Sequence, residues 1–374
     1  MLQVILIVLY VVLAGIFGLA VWRLRYAYSH FTMKSLVTTV KKLEQMPSVT
    51  VCIPARNETH AMTDSLQRVI ASNYPKLEVI VLDDLSGDDT SALIKAFAHE
   101  GIRFVEGSKL PDAWLGKNHA LQGLLKQASG SYVLFMDVDT RLSPDSIEQL
   151  VAYALQEEAL MVSVLPRRED SPRASVLFSP LRYFWEIMFH RKDSPATSSG
   201  AWMIHRQTLL DRFDGFTQFK DAIQPESRIS AELMASGEYR FLIGTELLGI
   251  SYEKKWRSQI GTSIRLLFPL LGSRLVHMLI ATLDLLILVS PLLVMFSGIF
   301  VGWNGNQLVA GMFYLLFSGL YAVYLRRIWN QASIVGGLLW PYIVIQEAVL
   351  VLLSALRYRQ GNVTWKGRQV KAPK

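Results

Sequence analysis

Apolar runs of about 20 residues, each long enough to cross a bilayer, stand at both ends of this chain and are missing from its middle. They cover residues 2–22, 277–301, 307–325 and 334–356. A backbone in hydrocarbon must satisfy its own hydrogen bonds, so each run is expected to be a helix. Composition fits a mixed layout. Of 374 residues, 51% are hydrophobic and 18% charged, too apolar for an ordinary soluble enzyme and too charged for a chain lying wholly in lipid. The first run has no basic leader and no small-residue cleavage site after it, so it reads as a retained anchor. Arg23, Arg25, Lys34, Lys41 and Lys42 follow it and are expected on the cytoplasmic side.

The expected layout is an anchor at 1–25, a cytosolic α/β domain at 45–257 and an interfacial helix region at 258–276. About three transmembrane helices at 277–356 and a basic tail at 357–374 complete it. Arg326 and Arg327 also belong on the cytoplasmic side. Parity then conflicts with the tail. Three spans place it outside, yet it carries Arg357, Arg359, Lys366, Arg368, Lys371 and Lys374. The net charge of +7 suits an anionic membrane surface. No basic helix with interleaved aromatics points to nucleic acid. The single cysteine, Cys52, excludes disulfides and Cys-based zinc sites.

The middle segment alternates short apolar runs with helical patterns. Residues 48–55, 77–82, 102–105 and 131–136 read as buried strands, the first stopped by Pro54. Helices are expected after each, which implies a parallel, doubly wound sheet. Ligands bind at the C-terminal edge of such sheets. The run from Tyr132 to Met136 delivers Asp137 and Asp139 there. Alternate residues on an extended chain share a side, so both carboxylates are placed to meet one Mg²⁺ or Mn²⁺. An isolated pair of this kind also caps helices or binds solvent. Lys117 sits in the first turn of an expected helix, where a cation opposes the macrodipole. A nearby anion such as a diphosphate would justify it; an ordinary surface lysine is the alternative.

Four motifs occur in order: Val51-Cys52-Ile53-Pro54-Ala55-Arg56-Asn57-Glu58, Asp83-Asp84-x-Ser-x-Asp-x-Thr90, Gly116-Lys117-x-x-Ala-Leu121 and Asp137-x-Asp139. Together they resemble the family 2 glycosyltransferases of GT-A fold, over about residues 48–255. The resemblance implies a Rossmann-like, mostly parallel sheet and inverting transfer of a sugar from a nucleotide-sugar, with a divalent metal. It implies that Pro54, Arg56, Glu58 and Asp83 or Asp84 hold the nucleoside and that Lys117 lies near the nucleotide. Asp137 would face the ribose or metal, and Asp139 the metal at the diphosphate. A catalytic base is expected downstream. The family carries a Glu-Asp pair where this chain has Pro225-Glu226, which makes Glu226 the candidate and Asp221 the reserve. The alternative role for Glu226 is a favourable charge in the first turn of a helix at 226–236.

Residues 176–192 are aromatic-rich, with Phe178, Tyr183, Phe184, Trp185 and Phe189. They read as an amphipathic helix on membrane or lipid, or as one packed on the sheet. Ser199 to Ile204 resembles the family's small-residue turn and strand beneath the acceptor. Residues 253–257 hold Lys255, Trp256 and Arg257 but not in the Gln-x-x-Arg-Trp order of polysaccharide synthases. Asn362 to Arg368 resembles a closing motif of membrane enzymes that glycosylate lipids. Asp284 and Glu347, inside apolar runs, are expected at a polar cavity or a partner helix. The expectation is therefore a multi-pass cell-membrane enzyme with its catalytic domain in the cytoplasm. It would move one sugar from a nucleotide-sugar donor, with UDP the nucleotide expected, to a lipid acceptor. A polysaccharide synthase and a non-catalytic sugar-nucleotide-binding membrane protein are the alternatives.

Overall fold

A computed structural model describes residues 1–35, 46–169, 181–191, 193–253, 256–328 and 333–370. Lys41, Lys42, Phe178, Lys255, Lys371 and Lys374 lie outside the described residues. The chain divides into two compact units.

One unit holds the described residues of 31–169 and 190–253. Its centre is a seven-stranded sheet of order β3-β2-β1-β4-β8-β6-β9. The strands are β1 (Val49–Ala55), β2 (Leu77–Asp83), β3 (Ile102–Glu106), β4 (Tyr132–Met136), β6 (Met161–Leu165), β8 (Ala201–His205) and β9 (Tyr239–Ile243). β1 pairs in parallel with β2 and β4, and β2 with β3. β8 runs antiparallel to β4 and β6. Runs such as Tyr132–Met136 are buried along their whole length, as parallel strands covered on both faces must be.

β1 does not stop at Pro54. It continues to Ala55, with Pro54 opposite Leu82 of β2. Its pairing with β4 ends at Cys52 opposite Phe135, so a residue without an N–H removes no ladder bond on that side. Helices α2 (Thr59–Ile70), α3 (Thr90–Ala96), α4 (Gly116–Gln127) and α5 (Ser146–Gln156) follow β1 to β4. The helix expected over 89–99 is shorter. It gives way to a 3₁₀ turn ending at Gly101, whose φ of +89° is left-handed. A second sheet, β5 (Thr140–Leu142), β10 (Ile250–Tyr252) and β7 (Arg167–Arg168), was not expected. Helices α7 (Arg206–Phe213) and α8 (Pro225–Ala235) complete the unit.

The other unit collects the described residues of 1–30, 170–189 and 254–374. It contains α1 (Leu2–His30), α6 (Arg182–Phe189), α9 (Trp256–Leu270), α10 (Leu275–Val301), α11 (Gly305–Ile328), α12 (Ser333–Leu338) and α13 (Trp340–Arg359). α1, α10, α11 and α13 are long and apolar enough to cross a membrane. The run expected as one span at 334–356 is two helices. They break at Leu339: Pro341, in the first turn of the second helix, has no N–H with which to continue the ladder of the first. α1 is tied to α11: Tyr10 Oη donates to Asn306 O at 2.8 Å, and Phe17 meets Phe317 edge-on at 5.6 Å. Phe184 of α6 packs edge-on against Tyr324 at 4.9 Å. α9 is fastened to α13 through Ser354, whose hydroxyl donates to Ile264 O at 2.5 Å and accepts from Phe268 N at 3.0 Å. Arg265 lies over Trp365 of the small hairpin β11 (Thr364–Trp365) and β12 (Arg368–Gln369). Glu347 is buried within this unit, whereas Asp284 is on an exposed face of α10.

Candidate active site

β1, β2 and β4 end at the same edge of the central sheet, with Ala55 opposite Asp83. Two loops there are laced together. After β1, Asn57 takes a left-handed φ of 52°. Arg56 Nη1 donates to the carbonyl oxygens of Asp84 and of Leu85, the latter at 2.8 Å. Asn57 N donates to Ser86 Oγ and Asn57 Oδ1 accepts from Gly87 N, both at 2.9 Å. Glu58 N donates to Thr90 Oγ1 at 2.8 Å, and that hydroxyl donates to Asp88 Oδ1 at 2.6 Å. Asp83 accepts from the hydroxyl of Ser86 and from its N–H at 3.3 Å. Asp83 and Asp84 are both buried. Gly107 N donates to Asp83 O at 2.8 Å, and a Cβ at that glycine would come within 2.9 Å of Asp84 Cα. The guanidinium of Arg56, expected at the nucleoside, thus holds the Asp84–Leu85 turn, while Pro54 lies within β1.

The Asp137–Asp139 segment departs from the expected geometry. β4 ends at Met136, and residues 137–139 form the turn into β5. The alternation of an extended chain therefore does not govern these two carboxylates. Asp137 N donates to Gly200 O at 3.0 Å, Thr140 N to Asp137 O at 3.0 Å, and Thr140 Oγ1 to Gly200 O at 2.7 Å. Asp137 and Asp139 are half-buried. Lys117 Nζ lies 2.6 Å from Asp137 Oδ1 and 3.4 Å from Ser199 O. The anion that justifies a lysine in the first turn of α4 is, in this structure, the Asp137 carboxylate. Lys117 and Asp137 are 22% and 28% exposed, so the pair can be reached from solvent.

The downstream candidates part company. Asp221 is exposed in the loop before α8, while Glu226 is 1% exposed in the first turn of that helix. A carboxylate there is favourable to the helix on its own account. Among the described residues no group of three or more His, Cys, Asp or Glu side chains gathers as a metal cage. The donor set instead fits Mg²⁺ or Mn²⁺, which bind through one or two carboxylates and fill their other positions with water and phosphate oxygens. Asp137 Oδ1 is engaged by Lys117.

Residues outside the motif positions read from sequence also build this edge. Asn118, 1% exposed, donates from Nδ2 to Phe219 O and to Ala222 O, each at 2.7 Å. Arg141 bridges Asp64 at 2.8 Å and Glu253 at 2.7 Å, and Glu253 N donates to Asp139 O at 3.3 Å. An asparagine in the first turn of a helix, on a face that otherwise buries Leu121 and Leu125, was the available signal for the first.

Residues 50–213 match the family model described as glycosyl transferase family 2. The 4,4'-diaponeurosporenoate glycosyltransferase of Staphylococcus aureus is 33% identical over 121 residues, 32% of this chain and 32% of that protein. The poly-beta-1,6-N-acetyl-D-glucosamine synthase of the same species is 31% identical over 130 residues, 33% of this chain and 31% of that protein. Each match thus spans about a third of the relative's length. Among solved structures, the mannosyltransferase PcManGT from Pyrobaculum calidifontis, in complex with GDP-Man and Mn²⁺, shares the fold. Its TM-score is 0.55 at 19% identity, over 96% of this chain and 98% of that one. The fold is GT-A, with long apolar helices at both ends.

Proposed function

With residues 50–213 carrying a family 2 glycosyltransferase domain, we propose that the protein is a membrane-bound, inverting enzyme. It moves a single sugar from a nucleoside-diphosphate sugar, UDP first among the candidates, to a lipid hydroxyl or carboxyl. The observation that carries this reading is the Lys117–Asp137 pair standing beside Asp139 at the end of β4. Departure of a diphosphate builds negative charge, and a preorganised cation at that point lowers the barrier. A divalent ion held by Asp139 and Asp137 supplies the same stabilisation when bound. The cradle of residues 56–58 and 83–90 holds the nucleoside against the sheet edge. Glu226 takes the proton of the attacking acceptor oxygen, with Asp221 in reserve. Attack from the face opposite the leaving diphosphate inverts the sugar.

Two features support a lipid acceptor. Four helices have the length and composition of spans, and a membrane concentrates and orients a lipid substrate. One relative is named for a carotenoid acid. The reading includes a cytoplasmic catalytic domain, an anchor at 1–25 and the further spans within 277–356. The test incubates membranes containing the protein with labelled UDP- and GDP-sugars and identifies the labelled lipid by mass. The expected product carries one sugar.

A second reading, a polysaccharide synthase, draws on the similarity to the poly-N-acetylglucosamine synthase. The order of residues at 253–257 speaks against it. A ladder of polymeric products would establish it and remove the first.

A further inference from the structure

One face of α4 is devoted to holding a distant loop. Asn118 and Gln122 stand four residues apart on α4, and both side chains, together with the main-chain N–H of the preceding Leu115, bond main-chain groups of residues 216–222. Leu115 N donates to Lys220 O at 2.7 Å. Asn118 Nδ2 reaches Phe219 O and Ala222 O at 2.7 Å and Lys220 O at 3.3 Å, so both amide hydrogens are used. Gln122 Oε1 accepts from Phe216 N at 2.7 Å. The fit is close: a Cβ at Gly215, whose φ is +64°, would lie 2.5 Å from Gln122 Oε1. The clamped loop runs directly into Pro225 and Glu226 at the start of α8. From the first turn of the same helix, Lys117 reaches Asp137.

We propose that Asn118 and Gln122 are positioning residues that hold the segment carrying Glu226 in register with the leaving-group side of the site. This rests on the reading of Glu226 as base. The physical reason is that a single 3₁₀ turn at Thr217–Phe219, with its few main-chain bonds, leaves carbonyls and the Phe216 N–H of this loop to be met from outside. Buried main-chain acceptors need donors, and two carboxamides supply opposite polarities from one rigid helix. A displacement of about 1 Å in a reacting group costs about 10²-fold in rate, so a rigid strut between the two halves of the site governs turnover rather than donor affinity.

The test uses the full-length protein in detergent or nanodiscs. Asn118→Ala is expected to lower kcat about 10²-fold while UDP affinity stays within about twofold. Gln122→Glu, which keeps the acceptor oxygen, is expected to remain near wild type, whereas Gln122→Leu follows Asn118→Ala. Hydrogen exchange supplies a readout that needs no turnover. In Asn118→Ala the amides of residues 216–226 are expected to exchange at least about 10-fold faster, with those of β4 unchanged. Wild-type exchange in that segment overturns the inference, as does equal loss of kcat and UDP affinity. Uniformly faster exchange throughout the unit would reduce Asn118 to a fold-stabilising residue and would also overturn it. A wild-type protein that transfers no sugar from any donor defeats the glycosyltransferase reading instead, and the exchange arm still decides the clamp.

Discussion

The two ends of the central sheet use polar residues in opposite ways. At the N-terminal end they satisfy one another. Glu78 accepts from Thr50 Oγ1 at 2.6 Å, from Ser129 N and Oγ at 2.9 Å, and from Arg103 Nη1 at 2.9 Å. Arg103 also reaches Gln127, and Thr50 Oγ1 accepts from Gly130 N at 2.8 Å. At the C-terminal end, side chains tie loops to loops, and half-buried Asp137 is paired with Lys117. Parallel strands make the two ends chemically different, because the helices begin at one end and finish at the other. The lesson is that polar residues at one end close a network among themselves, while those at the other are the ones to which the proposed function assigns chemistry.

Substitutions at the two ends should therefore separate activity from stability. The largest expected effect is at Asp139. Asp139→Asn should abolish detectable transfer and remove the metal dependence of UDP-sugar binding, measured by calorimetry with and without Mn²⁺, at an unchanged melting temperature. Retained metal-dependent binding would take Asp139 out of the site. Glu226→Gln comes next. Transfer is expected to fall by roughly 10²–10⁴ with donor affinity kept; if Asp221→Asn produces that loss instead, the two candidates exchange roles.

The opposite end should answer in stability alone. Glu78→Gln is expected to cost about 2 kcal/mol with kcat unchanged, read by denaturant unfolding of the membrane-extracted protein. Burial pushes the Glu78 carboxyl up, but hydrogen bonds from Thr50 and Ser129 and the charge of Arg103 outweigh it. The group therefore ionises below the usual carboxylate range. Its contribution is present above the ordinary glutamate value and disappears as pH falls through the lower folded value. The gap between wild type and variant should accordingly be full near neutrality and close below about pH 4. A gap that widened on acidification would contradict this. The smallest effect is expected at Asp64, 44% exposed and bridged to Arg68 and Arg141. That residue lies on the site side of the sheet, and Asp64→Asn should change stability by less than about 1 kcal/mol.

Much of the sheet was legible because buried parallel strands read as unbroken apolar runs, as at 49–55, 77–83 and 132–136. Short strands with distant partners were not. Thr140–Leu142 owes its strand to Ile250–Tyr252, and nothing local to three residues announces such a partner. The antiparallel direction of β8 was hidden for the same reason. At the proposed site, the extended path expected through Asp137 and Asp139 is a turn. A turn at 137–139 depends on Gly200 O, which accepts from both Asp137 and Thr140. Asn118 and Gln122 escaped notice because their partners are main-chain atoms about a hundred residues away, which no side-chain pattern records.

The bond between Tyr10 and Asn306 also bears on how the protein is made. On the membrane reading, α1 enters the bilayer first and pairs with α11, which begins at Gly305. At roughly 5–20 residues per second, the ribosome needs on the order of 15–55 s to pass from His30 to Gly305. Through that interval α1 resides in lipid without its later neighbour, held by its own apolar length. Chains terminated before Leu275, which lack α10 as well as α11, should therefore resist alkaline extraction from membranes, and their release would show that α1 depends on its later neighbours to stay inserted.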